Sequence, residues 1–232
     1  MKFTFTKEVL LKEMAIAQEI ISNKTAISIL SNVLLIAKEG SLTIRATDIK
    51  VAFETKIPVD IAEEGATTVF CDKFTSIIAS MPSGEIEAEQ KDQKLIIRSI
   101  SKKAKFSLKT ISDNDFPPFT DSSNTQFFEV PAKEFKEMIT QTIFAVSDDE
   151  TRYFMNGVYM EKKENNLIFA ATDGRRLAFI QHDFGIALPD FKGSIIPPKI
   201  LSIVQRRILD TPIDAGDRLL NATMNAIYRL NK

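Results

Sequence analysis

The sequence contains one cysteine and one histidine in 232 residues. A single cysteine excludes a disulfide within the chain and fits a reducing cytoplasm. Cys71 lies between an apolar stretch and a predicted helix, which favours burial as a small hydrophobic residue over thiol reactivity. His182 stands beside Asp183 in a polar stretch without a serine or cysteine nucleophile motif, which favours a surface histidine. The scarcity of both residue types speaks against nucleophilic catalysis.

The sequence also lacks an excess of charge and a long apolar run. Its formal net charge is −1 and its pI is about 6.0, which is not the balance of a strongly basic nucleic-acid binder. No apolar run is long enough to span a bilayer, and the N-terminus has no signal-peptide pattern. We therefore expect a cytoplasmic protein that does not associate with membranes.

Motifs of common enzymes are missing as well. The sequence has no phosphate-binding P-loop, no GxGxxG dinucleotide motif and no zinc-ligand spacing. The acidic residues 148–150 could bind a hard cation, but the spacing of a calcium loop is absent, and a solvated loop is the favoured interpretation. These absences predict a protein that is not an enzyme and needs no cofactor or metal.

What is present is a repeat. The tripeptide Ala-Thr-Asp at 46–48 recurs 125 residues later at 171–173, and Lys-Glu-Met at 12–14 recurs at 136–138. Lys73, followed by Ser76 and Ile77, has a counterpart in Lys199 with Ser202 and Ile203. Three matches in the same order indicate a duplicated domain. Turn-forming residues and prolines at 112–124 predict the linker, with one domain over 1–121 and the other over 122–232.

Hydrophobic periodicity predicts an α+β fold in which each repeat packs two helices on an antiparallel sheet. Helices are expected at 7–21, 72–81, 132–146 and 198–210. Strands are expected at 3–5, 32–38, 41–48, 51–59, 66–70, 85–90, 94–100, 103–111, 127–130, 156–161, 167–173, 176–182 and 194–197. The second repeat looks incomplete, because its closing strands are replaced by a predicted helix at 215–230.

The stretch 167–180 is the most distinctive part of the sequence. Alternating apolar residues on both sides of Asp173-Gly174 predict two strands joined by a tight hairpin turn. Arg175 and Arg176 follow the turn, so a two-stranded sheet would hold both arginines at its rim.

Four separated motifs resemble one known family, the bacterial DNA polymerase III β subunit or sliding clamp. They are Gly-Ala-Thr-Thr-Val at 65–69, Asn-Asp-Phe-Pro-Pro at 114–118, Glu-Thr-Arg-Tyr-Phe-Met-Asn-Gly at 150–157 and Ala-Thr-Asp-Gly-Arg-Arg-Leu-Ala at 171–178. The resemblance covers residues 1–210. It implies a subunit of a ring around duplex DNA, built from repeated α+β domains with helices lining the hole. The implied function is processivity of the replicative polymerase, with catalysis in other subunits.

The resemblance also implies contacts with DNA that are independent of base sequence. Implied contacts are Lys24, Arg152 and Tyr153, and further residues of the lining are Lys73, Lys199 and Arg206. A ring that is held on DNA by topology does not need a strongly basic lining, because tight phosphate contacts would hinder sliding. The near-neutral charge is therefore compatible with this function.

A peptide-binding pocket is implied around the predicted hairpin. The matching positions are Met155, Thr172, Gly174, Arg175, Arg176 and Leu177. In the family this pocket receives short peptides from the catalytic polymerase subunit, the clamp loader and repair polymerases. An apolar slot beside arginines suits a peptide with a Leu or Phe anchor.

The sequence also departs from the family pattern. From residue 211 onward it is not expected to resemble the family, which predicts a truncated or altered clamp subunit. Phe106, Leu108, Lys103 and Lys105 match one side of the family's subunit interface and are expected on an exposed edge strand. We therefore expect a monomer or aggregates in place of the family's homodimer. The alternatives are a stand-alone peptide-binding module that competes for clamp partners and a two-domain protomer of a three-fold ring.

Overall fold

The computed structural model describes residues 1–21, 27–49, 51–119, 128–149 and 151–210, with side chains up to 208. The chain divides into two compact units, Met1–Phe119 (unit 1) and Thr120–Lys232 (unit 2).

Unit 1 combines a nine-stranded antiparallel sheet with two helices. The helices are α1 (Lys7–Ile20) and α2 (Cys71–Ser80). The strands are β1 (Lys2–Thr6), β2 (Asn32–Lys38), β3 (Ser41–Thr47), β4 (Ala52–Pro58), β5 (Asp60–Glu63), β6 (Gly65–Phe70), β7 (Glu85–Lys91), β8 (Lys94–Ser99) and β9 (Lys105–Ile111). Short 3₁₀ turns lie at Ser28–Ser31 and Asp113–Asp115. The strand order is β4-β3-β2-β6-β9-β8-β7-β1-β5.

The core of unit 1 lies between this sheet and its helices. Leu10 and Met14 of α1 and Phe74 of α2 are fully buried, as are Leu35 and Ile44 of the sheet. The helix residues recur at helical spacing, so each helix presents one apolar stripe to the sheet. Burial of this stripe is the main driving force for holding the two helices on the sheet.

Unit 2 repeats the same plan in its described residues. A four-stranded antiparallel sheet has the order β12-β11-β10-β13. Its strands are β10 (Val158–Lys163), β11 (Asn166–Thr172), β12 (Leu177–Asp183) and β13 (Ser194–Ile196), and its helices are α3 (Ala132–Thr140) and α4 (Pro198–Asp210). A 3₁₀ turn at Ile143–Ala145 follows α3. The Phe135 ring of α3 meets Phe169 of β11 edge to face at 5.5 Å.

The predicted fold class is confirmed, since each described unit places two helices against antiparallel strands. Two element predictions are wrong, and one strand was missed. The helix predicted over 132–146 ends at Thr140, residues 128–130 form no strand, and β5 was not predicted. The helix predicted at 215–230 lies outside the described residues.

The chain leaves the α-helical pattern after Thr140. The Thr142 hydroxyl donates to the backbone carbonyl of Met138 at 2.7 Å, and the chain continues as a 3₁₀ turn. The same bond from a threonine hydroxyl to the carbonyl four residues earlier occurs within α2 and α3, from Thr75 to Cys71 and from Thr140 to Lys136, so it does not by itself end the helix. Apolar spacing alone does not reveal where α3 ends.

Candidate functional site

The candidate site begins with the loop between β11 and β12, residues 173–176, which we call the hairpin loop. Thr172 pairs with Leu177, so the loop has four residues and is longer than the tight turn predicted from Asp173-Gly174. The Asp173 carboxylate accepts hydrogen bonds from the backbone N–H groups of Arg175 and Arg176 at 2.9 and 3.0 Å. Gly174 has a φ of +89°, a conformation that favours glycine. The loop is therefore folded by its own side chains.

Threonine 172 completes this arrangement. Its hydroxyl oxygen accepts from the Gly174 N–H at 3.1 Å and donates to the Arg176 carbonyl at 2.7 Å. The second oxygen of Asp173 accepts from Nε of Arg176 at 2.9 Å. The backbone donors of Arg175 and Arg176, followed by the Arg176 side chain, hold the pKa of Asp173 below its ordinary value. Asp173 is thus ionised at neutral pH, and its hydrogen bonds stabilise the hairpin loop.

The hairpin loop presents both charge and apolar surface. The Arg176 guanidinium lies over the Phe144 ring at 5.5 Å, which fixes the arginine by a cation–π contact. Leu177, the first residue of β12, is 72% exposed, and Arg175 is exposed. An exposed leucine beside two arginines can contact an apolar anchor and an acidic or carbonyl group of one ligand.

A second turn lies next to the hairpin loop. It comprises residues 147–149 and 151–156, and we call it the Arg152 turn. The Asp149 carboxylate accepts from the backbone N–H and the hydroxyl of Thr151 at 3.0 and 2.6 Å. These two hydrogen bonds, with the Arg152 charge as a smaller cause, hold the pKa of Asp149 below its ordinary value. Nε of Arg152 lies 3.3 Å from the same carboxylate.

Backbone contacts close the Arg152 turn at its base. The Ser147 N–H donates to the Met155 carbonyl at 3.0 Å, and the Asn156 side-chain amide donates to the Ser147 carbonyl at 3.0 Å. Tyr153 is strongly exposed, and its ring meets Phe154 edge to face at 5.4 Å. Met155 is half-buried. The turn therefore holds Arg152 and Tyr153 at the surface.

The structure brings the two turns together. A Cβ atom added at Gly174 would lie 3.7 Å from Nη1 of Arg152. Arg152, predicted to contact DNA, therefore lies directly beside the loop predicted to bind peptides. Arg152 joins Thr172, Gly174 and Arg176 in one continuous surface of unit 2.

Three of the other predicted DNA residues lie on helices. Lys199 and Arg206 lie seven residues apart on α4 and therefore share one helix face. The guanidinium Nε of Arg206 donates to the Ser202 carbonyl at 3.2 Å. In unit 1, the exposed Lys73 of α2 lies 5.9 Å from the Phe70 ring centre. Lys24 lies outside the described residues.

The strand predicted to form the subunit interface is exposed only in part. Within the described residues, β9 pairs with β8 from Lys105 to Lys109 but with β6 only at Thr110 and Ile111. Phe106 is 39% exposed on this open stretch, whereas Leu108 is only 7% exposed. The expectation that both apolar side chains are exposed is wrong for Leu108, because it points into the core while Phe106 lies near the strand end. Lys103 and Lys105 are exposed.

The remaining reactive residue types do not form a site. Cys71 is fully buried, as predicted, and desolvation raises the pKa of its thiol to about 12. His182 is half-buried, because its ring lies 4.6 Å from the Phe184 ring, and is less exposed than predicted. Across the described residues, no cluster of His, Cys, Asp or Glu could hold a metal ion. In this same part of the chain, every helix is too short or too polar to cross a membrane.

Sequence reasoning missed the roles of three residues that shape the site. Asp149 and Asp173 are predicted only as loop or turn residues. Aspartate side chains in turns commonly accept a hydrogen bond from the backbone N–H two residues further along, and both residues do so here. Phe144, placed inside a predicted helix, is exposed and contacts Arg176. No local signal separates such a residue from a core phenylalanine.

Comparison with known proteins identifies the class. The family model for the N-terminal domain of the DNA polymerase III beta subunit matches residues 1–120, and the model for its central domain matches residues 129–224. The chain therefore belongs to the DNA polymerase III beta subunit family. The second match runs past residue 211, so the expected loss of resemblance from that residue does not hold for 211–224.

Individual relatives of known sequence and structure belong to the same family. The chain is 46% identical to the beta sliding clamp of Treponema pallidum (strain Nichols), over 98% of this chain and 60% of that relative. It is 33% identical to the beta sliding clamp of Escherichia coli (strain K12), over 90% of this chain and 57% of that relative. A solved DNA polymerase sliding clamp from Bacillus subtilis superposes with a TM-score of 0.84 at 29% identity, over 90% of this chain and 57% of that one. The chain thus spans about 60% of the length of these relatives.

Proposed function

We propose that this chain acts as a sliding-clamp subunit, a processivity factor that encircles duplex DNA for the bacterial replicative polymerase. The observation that carries the proposal is the ordered match of both units to the two clamp domain models. Relatives that match nearly the whole chain are named beta sliding clamps. In the proposed division, residues 1–121 form the first clamp domain and residues 122–232 the central one.

The proposed DNA contacts include residues of α2, α4 and the Arg152 turn, together with Lys24. They are Lys24, Lys73, Arg152, Tyr153, Lys199 and Arg206. Exposed Arg152 and Tyr153 support this role, since a guanidinium pairs with phosphate and an aromatic ring can stack against sugar or base. The contacts are few and partly neutralised by neighbouring acids such as Asp149, which suits a ring that moves along DNA.

The hairpin loop is proposed to dock short peptides. Met155, Thr172, Gly174, Arg175, Arg176 and Leu177 would form the wall of the pocket that this unit contributes. The exposed Leu177 offers apolar contact, and Arg176 is pre-positioned by Asp173 and Phe144. Pre-positioning lowers the entropy lost on binding. The proposed ligands are peptides of the catalytic polymerase subunit, the clamp loader and repair polymerases.

The open stretch of β9 is proposed as the subunit interface of a ring, in place of the monomer or aggregates expected from the sequence. Phe106 and the lysines Lys103 and Lys105 are accessible there, and the unpaired strand edge can accept another strand. Leu108 would support this edge from the core. The protein is proposed to work in the cytoplasm without catalytic activity of its own. The comparisons do not favour the alternative of a stand-alone peptide-binding competitor.

The proposal is tested by topological retention on DNA. The chain would be loaded onto a nicked circular plasmid with a bacterial clamp loader and ATP, and then separated from free protein by gel filtration. We expect it to remain with the circle and to be released when the plasmid is cut once. Equal retention on circular and linear DNA would contradict encirclement.

Peptide docking is tested separately with a fluorescent peptide that carries a Leu or Phe anchor. Leu177→Asp should remove about 80 Å² of apolar contact, or about 2 kcal/mol at about 25 cal/mol per Å². This corresponds to about thirtyfold weaker binding. Ile186→Asp is the matched control, because Ile186 is an exposed apolar residue of the same unit outside the proposed pocket. Equal losses in both variants would place the pocket elsewhere.

A further inference from the structure

The sheet of unit 2 carries an apolar row on the face that points away from its helices. Tyr159, Ala170 and Phe179 lie side by side on β10, β11 and β12, in the registers Tyr159–Ala170 and Ala170–Phe179. Their neighbours Met160 and Phe169 are buried on the helix side. Because side chains alternate along a strand, the three residues face the opposite way. We call Tyr159, Ala170 and Phe179 the outer row.

The outer row is open to solvent in the described structure. Phe179 is 58% exposed and Tyr159 is 36% exposed. A Cβ atom at Gly193 would lie 2.1 Å from the Tyr159 hydroxyl, so the end of this ring rests against the backbone of residue 193. Exposed aromatic residues grouped on one face commonly mark an interaction surface.

Unit 1 has the equivalent row in the same register. Leu34, Arg45 and Glu54 lie 125 residues before Tyr159, Ala170 and Phe179, and they pair across β2, β3 and β4 in the same way. The duplication therefore aligns the two surfaces residue by residue.

In unit 1 this surface is covered. The Phe119 ring lies 5.0 Å from the guanidinium carbon of Arg45, and the rings of Phe116 and Phe119 stack at 6.1 Å. Phe116 is buried, and Leu34 is only 7% exposed. The covering segment, residues 116–119, reads Phe-Pro-Pro-Phe. One copy of the duplicated surface thus shows what kind of chain fits it.

We propose that the outer row of unit 2 is a docking surface for an extended segment with aromatic residues flanking prolines. Arg45 and Glu54 form an ion pair in unit 1, whereas Ala170 and Phe179 take their places in unit 2. The outer row is therefore more apolar than its counterpart in unit 1, and it offers Ala170 where Phe119 contacts a guanidinium in unit 1. A proline-rich segment is pre-set in an extended form, so it loses little entropy when it binds an aromatic surface.

This surface differs from the proposed peptide pocket at the hairpin loop. None of its three residues belongs to that pocket, although Phe179 follows Leu177 by two residues on the same face of β12, so the outer row adjoins the pocket. The proposal requires neither DNA binding nor ring formation. If the clamp function is disproved, the docking proposal for the outer row still stands. If the docking proposal is disproved, the proposed clamp function still stands.

The test uses the full chain and a capped peptide with the sequence of residues 113–119. Amide chemical shifts of the isotope-labelled protein are followed by NMR during titration. We expect shifts centred on Tyr159, Ala170 and Phe179, and about tenfold weaker binding to Phe179→Ser. Phe154→Ser is the control, because Phe154 is nearly as exposed as Phe179 but lies in the Arg152 turn, and its affinity should be unchanged. A peptide with both phenylalanines replaced by serine should not bind.

Several outcomes would overturn the proposal. One is the absence of chemical-shift changes at millimolar peptide. Another is chemical-shift changes confined to β3 around Arg45, since these would mean that the peptide replaces residues 116–119 on unit 1. Equal weakening by Phe179→Ser and Phe154→Ser would show that the row is not recognised. Sedimentation that reveals self-association abolished by Phe179→Ser, without peptide binding, would assign the surface to a second copy of the chain.

Discussion

Single aspartates determine the shape of the candidate site. Asp173 and Asp149 each accept hydrogen bonds from backbone N–H groups two residues further along the chain. Each also pairs with an arginine three residues away, Arg176 and Arg152 respectively. The two turns are therefore built alike, and each needs its aspartate in the charged form.

Acid should loosen the hairpin loop at a pH below the ordinary pKa of aspartate. The pKa of Asp173 is lowered from 3.8 in the folded chain, so its stabilising contribution is present above pH 3.8. That contribution is lost as the pH falls through the lower, folded value. We expect the amide shifts of Arg175 and Arg176 to titrate with a midpoint below 3.8 and not to titrate in Asp173→Asn. A midpoint at or above 3.8 would contradict the hydrogen bonding described here.

A glycine next to β10 should be sensitive to any side chain. A Cβ atom at Gly157 would lie 2.6 Å from the Ile195 side chain and from the Ile196 carbonyl oxygen. Gly157→Ala should therefore lower the unfolding free energy of unit 2 by about 1–3 kcal/mol, because β13 must shift. Urea unfolding followed by circular dichroism measures this loss.

Gly185→Ala provides the comparison for Gly157. A Cβ atom there meets no other atom within 4 Å, although its φ is +68°. Gly185→Ala should therefore lower the unfolding free energy only through backbone strain, by about 1 kcal/mol. If Gly185→Ala is the more damaging change, close packing at Gly157 is not the dominant effect.

Single residues were predictable from the sequence where local context decides their environment. Cys71 follows an apolar stretch and opens a helix, and its predicted burial is confirmed. The turn at Asp173-Gly174 is also confirmed, but its four-residue length depends on the side-chain bonds of Thr172 and Asp173. Exposure of Leu108 was predicted wrongly, because its burial depends on long-range packing.

At the level of elements, strongly periodic segments were predicted closely. The helix α4 and the strand β2 have the predicted bounds, α1 ends one residue earlier than predicted, and α2 is shifted by one residue at both ends. The strand β5, four residues long and directly after Pro58 and Val59, carries too few apolar residues to stand out. Its identity as a strand comes from pairing with β1, a contact far away in sequence.

Two substitutions on β9 should separate its core side from its open edge. Leu108→Ala should lower the unfolding free energy by about 2–4 kcal/mol, because it leaves a cavity in the core. Phe106→Ala, at a partly exposed position, should cost less than about 1 kcal/mol but should reduce association between copies. Chemical unfolding and analytical ultracentrifugation measure the two effects. The reverse ranking of stabilities would show that Phe106 is the residue that supports the sheet.

On the scale of the whole chain, the duplication was the most informative sequence signal. The sequence repeats at offsets of 124 to 126, and the paired strands of the two units repeat at 125 in β2, β3 and β4. Two units with two helices each follow directly from that repeat. Their unequal strand numbers, nine and four within the described residues, are close to the eight and five predicted from the sequence.

Binding to linear duplex DNA should be weak and should fall steeply with salt. Arg152→Ala removes one proposed phosphate contact, so the slope of log K against log salt should become shallower by about 0.9. Fluorescence anisotropy between low and moderate salt measures the slope. Lys163→Ala, which removes an exposed charge at the end of β10, should leave the slope unchanged. A base-sequence preference would contradict the proposed clamp function.

Alkylation of the buried Cys71 thiol can report the opening of unit 1. Since the chain has no other cysteine and the Cys71 thiol has a pKa of about 12 in its buried site, an alkylating reagent at neutral pH can modify it only in molecules where unit 1 has opened. Labelling rates read by mass spectrometry would therefore measure the free energy of that opening under native conditions, without denaturant. Leu108→Ala should accelerate the reaction, because β9 packs against the helix that begins with Cys71.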